Sequence, residues 1–303
     1  NGRGVVVDTI TAVFIKRLDI YEAVRIVCGP IYATSVTVER LAERYYEAKG
    51  LVGRSPGNLS YRDGNYILTE NTPEQLQNVC ESREEEWNWA REKLEMLPAL
   101  PRDDLSQRSR DVIEMIGARG VAPAMAANGA LLPLLADDFG SRVWAKDTLQ
   151  VEGLWLQPVL MESRNSGHLS EDAYAKTILA MADAGFSYIS LDVSVLLYAL
   201  RQADYDVSKL SKPLEILCGR DADLMNNLAI AASLLNVLAS ESCPPLTKER
   251  VASEIARKAC YPRWAQAREI LAALISLIQP GKTQMRQHFS KWLRWNSMGE
   301  KRS

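Results

Sequence analysis

The sequence predicts an α/β domain over residues 1–200, followed by an all-α module over residues 201–303. Two patterns carry this. Short β-branched or apolar runs (Val5-Val6-Val7, Ile31-Tyr32-Ala33 and Tyr188-Ile189-Ser190-Leu191) alternate with stretches of helical periodicity. From Asp192 onward the apolar residues recur only with the helical period, punctuated by Pro213, Pro244-Pro245 and Pro280-Gly281. Strands interleaved with helices imply a parallel sheet, and helices alone imply a bundle.

The elements follow in order. Val5-Val6-Val7 runs into Asp8 and reads as a buried strand. Residues 9–27 read as two short helices, stopped by Gly29-Pro30. Ile31-Tyr32-Ala33 is a second strand, and Ser35 or Thr37 offers a cap for a helix that runs to Gly50. Residues 50–65 hold Gly53, Pro56, Gly57, Asp63 and Gly64 and read as a loop or hairpin. Residues 73–97 form a long acidic helix carrying Trp87 and Trp89, ended by Pro98 and Pro101. Residues 105–118 are a further helix. The apolar run 130–136, interrupted by Pro133, leads into Asp137-Asp138, a helix over 140–148 and a short strand near Val151. Residues 158–184 are helical with a break at Asn165-Ser166-Gly167, and Tyr188–Leu191 reads as the last strand.

Composition narrows the chemistry. Across 303 residues the hydrophobic fraction is 47% and the charged fraction 24%, as in globular proteins. With 36 Lys+Arg against 38 Asp+Glu the formal charge is −2, so any nucleic-acid contact must use local patches. His168 and His288 are the only histidines, which excludes a His-rich zinc site and leaves metal chemistry to oxygen ligands. Cys28, Cys80, Cys218, Cys243 and Cys260 are odd in number and form no CxxC pair, which reads as free buried thiols of a cytoplasmic protein. No apolar run is long enough to cross a membrane. The start at Asn-Gly-Arg-Gly, without Met, reads as a piece of a longer chain.

The acids are placed informatively. In open parallel sheets, ligands bind beyond the carboxyl ends of the strands. Asp8 ends one strand and Asp137 and Asp138 end another. Glu39 lies on the helix after the second strand, and Asp111 opens the helix before the Asp137 strand. Carboxylates gathered in one cleft repel one another, and a divalent cation removes that penalty.

These residues resemble a known family. Val5-Val6-Val7-Asp8, followed by Tyr32-Ala33-Thr34-Ser35 and Thr37-Val38-Glu39-Arg40-Leu41, is similar to the opening of a PIN-domain nuclease. Leu134-Leu135-Ala136-Asp137-Asp138-Phe139-Gly140-Ser141-Arg142 resembles that family's late motif, and Ser109-Arg110-Asp111-Val112-Ile113 its middle one. The resemblance covers residues 4–200. It implies a Rossmann-like three-layer α/β/α sandwich with a central parallel sheet, a quartet of acids binding Mg²⁺ or Mn²⁺, and metal-dependent cleavage of nucleic acid, usually RNA. Carried over, Asp8 is the first acid, Glu39 the second, Asp111 the third (with Asp104 and Glu114 as rivals) and Asp137 or Asp138 the fourth. Residues 50–103 stand as an insertion relative to minimal members.

Other features admit two uses. Ser35 suits steadying a metal-bound water or capping a helix. Arg142 suits a substrate phosphate or an i,i+4 pair with Asp138. Residues 281–303 set six basic residues against Glu300, interleaved with Phe289, Trp292 and Trp295. They suit a nucleic-acid strand or a helix docking its aromatic rings on the bundle. Gln279-Pro280-Gly281-Lys282-Thr283 ends like a phosphate loop, but Ser276 stands where that loop needs glycine. The expected function is a divalent-metal-dependent ribonuclease. The alternative is a non-catalytic PIN-like interaction or oligomerisation module of a larger protein.

Overall fold

The computed structural model of the chain describes residues 2–54, 57–62, 64–99, 105–186, 189–220, 222–241, 244–279, 286, 287, 289, 291 and 292. Two compact units divide it, Asn1–Leu169 and Ser170–Ser303. The first is the α/β unit. Its sheet has five parallel strands in the order β5-β2-β1-β6-β7. These are β1 (Val5–Val7), β2 (Ile31–Ala33), β5 (Glu95–Met96), β6 (Leu134–Leu135) and β7 (Gly153–Leu154). β1 and β6 are buried along their whole length, as central parallel strands must be.

Helices α1 (Thr9–Arg17) and α2 (Tyr21–Cys28) fill the first crossover as the two helices expected. Asp19, at a left-handed φ of 53°, turns the chain between them. α3 (Ser35–Leu51) is capped by Thr34, whose hydroxyl accepts from Thr37 N at 3.3 Å, so neither Ser35 nor Thr37 is the cap. The insertion holds an antiparallel hairpin, β3 (Gly57–Arg62) with β4 (Asn65–Glu70). It also holds α4 (Pro73–Lys93), which starts on a capping box between Thr72 and Gln75.

Three expectations for this region change. The acidic helix ends at Lys93 and β5 follows, because the extended chain there pairs with β2 and Leu97 N donates to Ala33 O at 2.8 Å. The helix over 105–118 is α5 (Gln107–Ile116), which Gly117 separates from a second helix, α6 (Ala118–Ala130). The described residues 189–192 form no strand, and Ser187 and Tyr188 lie outside the description. Asp192 instead caps a helix, accepting from Val195 N at 3.0 Å. The outer strand on that side of the sheet is β7, near the expected position at Val151.

α6 has no counterpart among the elements expected from sequence, because it holds Pro123, two glycines and a run of alanines. Packing rescues it. Small side chains at Ala124, Ala126 and Ala127 let it lie close to the sheet, in a core shared with Val6, Leu134, Ala136, Ala145 and Leu149. Ala145 and Leu149 belong to α7 (Phe139–Leu149), and α8 (Leu156–Asn165) packs on α2.

The second unit is helical. It comprises α9 (Glu171–Asp183), α10 (Val193–Gln202), α11 (Ser211–Cys218), α12 (Leu224–Ser240), α13 (Pro245–Cys260) and α14 (Ala267–Leu277), with 3₁₀ turns at Val207–Leu210 and Tyr261–Gln266. The sequence reading places α9 within the α/β region. Here α9 packs on α10 and α11 and groups with the later helices. Arg263 closes the α11 end, donating to the carbonyls of Cys218, Gly219, Arg220 and Ala222 at 2.7 to 3.2 Å. Of the basic tail, Phe289 is fully buried and Trp292 meets Trp264 edge-on at 6.3 Å, so these two rings dock on the bundle. Lys282, Arg294, Trp295, Lys301 and Arg302, and most of the phosphate-loop-like segment, lie outside the described residues. Cys28, Cys80, Cys218 and Cys260 are buried free thiols, while Cys243 is outside the description. No helix among the described residues is long and apolar enough to cross a membrane.

Candidate functional site

Strand order locates the site. β1 pairs with β2 on one side and β6 on the other, so the connections after β1 and before β6 leave the sheet in opposite directions. The crevice this opens lies at the carboxyl ends of β1 and β6, the topological switch point where open α/β sheets bind ligands. Asp8 directly follows β1, and Asp137 and Asp138 follow β6 after one residue.

Each of the three carboxyls has a distinct place. Asp8 caps α1, its Oδ1 accepting from Thr11 N at 2.7 Å. Asp138 caps α7, its Oδ1 accepting from Ser141 N at 2.6 Å. Asp137 turns inward: Oδ1 accepts from Leu156 N at 3.1 Å, and Oδ2 lies 3.5 Å from the Thr11 hydroxyl. α8 has no capping side chain of its own, so Asp137 satisfies its first N–H from the end of the neighbouring strand β6. Thr11 ties the two strand ends together, since its hydroxyl also accepts from Asp137 N at 3.0 Å. Thr11 is not recognisable as a site residue in the sequence. Its only signal is a threonine in the first turn of an apolar helix.

The electrostatics follow from this crowding. Burial pushes the Asp8 carboxyl above its usual range; the Thr11 hydrogen bonds oppose this, and the Asp138 charge adds to it. Burial, with the Asp8 charge adding, pushes Asp137 up to about 6, against the bond from Leu156 N and the nearby Arg142 charge. Arg142 does not pair with Asp138. It donates to Ala136 O at 2.6 Å, and its guanidinium lies over the Trp155 ring at 4.9 Å and the Phe139 ring at 5.7 Å.

Asp8 and Asp138 line one cleft of about 900 Å³, walled by α1, α3 and the start of α6. The residues α3 contributes are Arg40, Glu43, Arg44 and Glu47; Glu39 is exposed and not among those lining it. Asp111 sits on α5, exposed and bonded to Gln107 at 2.8 Å, outside the cleft lining. Glu114 is likewise exposed and outside the lining, and Asp104 lies beyond the described residues. The helix start that faces the cleft carries Arg119, whose guanidinium donates to Glu43 at 2.5 Å. Ser35 is exposed on the first turn of α3 and is not part of the lining.

Among the described residues no three Asp, Glu, His or Cys side chains are grouped to hold a metal ion. The described residues therefore do not by themselves assemble a closed three- or four-carboxylate centre. The pair that shares the cleft, Asp8 and Asp138, fits a looser arrangement. Mg²⁺ usually keeps several waters and is held by one or two carboxylates.

Residues 6–147 match the family model of the PIN domain associated with the TPR-GreAB-C-PIN system. That span runs from β1 into α7 and contains Asp8, Glu39, Asp111, Asp137 and Asp138. No curated protein and no solved structure matches the chain.

Proposed function

We propose that residues 6–147, which match a PIN-domain family model, form a divalent-cation-dependent ribonuclease with a reduced carboxylate set. The observation that carries this reading is the pair Asp8 and Asp138 in one cleft at the switch point of the sheet. These two carboxylates would hold Mg²⁺ or Mn²⁺. When bound, the cation supplies an activated water and stabilises the leaving oxygen of a phosphodiester.

The remaining work falls to the chain's own groups. Thr11 fixes the positions of Asp8 and Asp137 relative to each other. Asp137 holds α8 against the β6 end and contributes negative potential from behind the pair. Ser141 N orients the Asp138 carboxylate. Arg142 is a positioning residue, braced between Ala136 O and Trp155, that offsets the crowded negative charge.

Asp8→Asn tests the reading. Asparagine caps a helix as well as aspartate does, so the fold is retained. Loss of the cation's several kcal/mol corresponds to ~10³-fold or more in cleavage rate. In parallel, Mn²⁺ raises the unfolding temperature of the unmodified protein and not that of Asp8→Asn. Undiminished Mn²⁺-dependent cleavage by a clean Asp8→Asn preparation refutes the assignment.

A second reading has its own support. Arg119 and Glu43 are paired in the cleft, and no third carboxylate completes the site among the described residues. That suits a non-catalytic PIN-like module within a larger chain or a homo-oligomer, in line with the family's association with a TPR-GreAB-C-PIN system. Absence of both cleavage and Mn²⁺ stabilisation in the unmodified protein decides for it.

A further inference from the structure

Glu86 lies on α4, in the insertion, and is 2% exposed. A buried carboxylate needs a partner, and this one has three. Arg17 Nε donates to its Oε1 at 2.6 Å. Arg83 Nη1 donates to Oε2 at 3.0 Å, and Arg44 Nη2 lies 3.9 Å from Oε2. One negative charge thus gathers three guanidinium groups from α1, α3 and α4. The neighbouring Glu43 is shared in the same way by Arg40 at 3.9 Å and Arg119 at 2.5 Å. Arg17, Arg40, Arg44 and Arg119 all line the cleft that holds Asp8 and Asp138. Even counting Glu47, which also lines it, this wall has more arginines than glutamates. The side chains of Arg17 and Arg44 are 44% and 33% exposed, so each keeps donors for a ligand.

We propose that Arg17 and Arg44, tethered by the buried Glu86, form a phosphate-binding wall that seats the backbone of a single-stranded RNA beside Asp8 and Asp138. Planar guanidinium forks match phosphate oxygens, and tethering reduces the freedom they lose on binding. Glu86 acts through the arginines and is a positioning residue. The insertion helix thereby supplies substrate recognition that a minimal sheet with its crossovers would lack. The identity of the ligand rests on the ribonuclease reading, while the wall itself is testable without a cation.

The test is fluorescence anisotropy with the full chain and a short fluorescein-labelled single-stranded RNA in EDTA, between about 50 and 200 mM salt. Arg44→Gln is expected to weaken binding several-fold and flatten the log–log salt slope by ~0.7, one phosphate contact. The double variant Arg17→Gln/Arg44→Gln flattens it by ~1.4. Glu86→Gln makes the protein more positive, so simple charge attraction demands tighter binding, whereas loss of the tether weakens it. If Glu86→Gln does not fold, Arg44→Gln carries the test, because Glu86 keeps Arg17 and Arg83. Unchanged affinity and slope in the arginine variants overturns the proposal, as does tighter binding by a folded Glu86→Gln. Mn²⁺-dependent cleavage alongside unchanged arginine variants overturns the wall and leaves the nuclease reading intact. Weakened binding in the variants, with no cleavage by the unmodified protein, supports the wall and overturns the nuclease.

Discussion

Asp137→Asn separates the structural acid of the site from the pair beside it. Burial and the neighbouring Asp8 raise the Asp137 carboxyl from its ordinary 3.8 to about 6. Between those values the native state holds more protons than the unfolded chain. The contribution of this group to stability is therefore fully present below about pH 4 and is lost as pH rises through about 6. At pH 7 the buried charge costs up to ~3 kcal/mol, the free-energy equivalent of the gap. Asparagine removes that charge, still accepts from Leu156 N, and can offer its amide to Thr11 Oγ1 in place of the 3.5 Å contact. A neutral acceptor bonds more weakly than a carboxylate, which returns ~1 kcal/mol. The variant is thus expected to be ~1–2 kcal/mol more stable at pH 7, or about 2–8 °C in unfolding temperature for a unit of this size. The gain fades below about pH 4, where the carboxyl is already protonated in the unmodified protein. Thermal unfolding followed by circular dichroism from pH 4 to 8 in EDTA reads this directly. A variant less stable at pH 7, or a difference independent of pH, refutes the reasoning.

Other substitutions probe the surroundings. Asp111→Asn touches only the exposed contact to Gln107, so stability stays within ~0.5 kcal/mol and cleavage is unchanged; a large loss of activity would restore Asp111 to the site. Gly153→Ala places a Cβ 2.8 Å from Arg142 Cβ and within 3.0 Å of its Cγ and Cδ, so Arg142 must leave its place beside Trp155. A loss of ~1–3 kcal/mol is expected by denaturant unfolding, together with a change in the native tryptophan fluorescence, to which Trp155 contributes. Thr72→Ala deletes the capping box of α4 and should cost ~1 kcal/mol without touching the cleft, which chemical denaturation with parallel RNA-binding measurements checks.

Much of the architecture is written locally. Val5-Val6-Val7-Asp8 and Leu134-Leu135-Ala136-Asp137-Asp138 carry both the strand and the acid at its end, because a buried strand and the cap that follows it are encoded side by side. The capping box of α4 and the apolar period of the later helices are legible for the same reason. β5 and β7 are two residues long, too short for any period, and exist because β2 and β6 offer edges to pair with. α6 hides behind alanine, glycine and proline and is held by its close approach to β1.

The site divides in the same way. Sequence alone put Asp8, Asp137 and Asp138 at strand ends, the place where α/β sheets bind ligands. Only the tertiary structure decided which acids meet. Pairing of β1 with β6 brings together Thr11 and Asp137, 126 apart in the chain, so Thr11 can bridge Asp8 and Asp137. Only the end of α5, at Ile116, and the start of α6 line the cleft, which brings in Arg119 and leaves Asp111 outside it. Glu86 is, in sequence, one acid among several on the long acidic helix; only packing against α1 and α3 buries it among their arginines. Local pattern specifies where a side chain leaves the backbone; long-range packing specifies what it meets, and the chemistry of this cleft depends on those meetings.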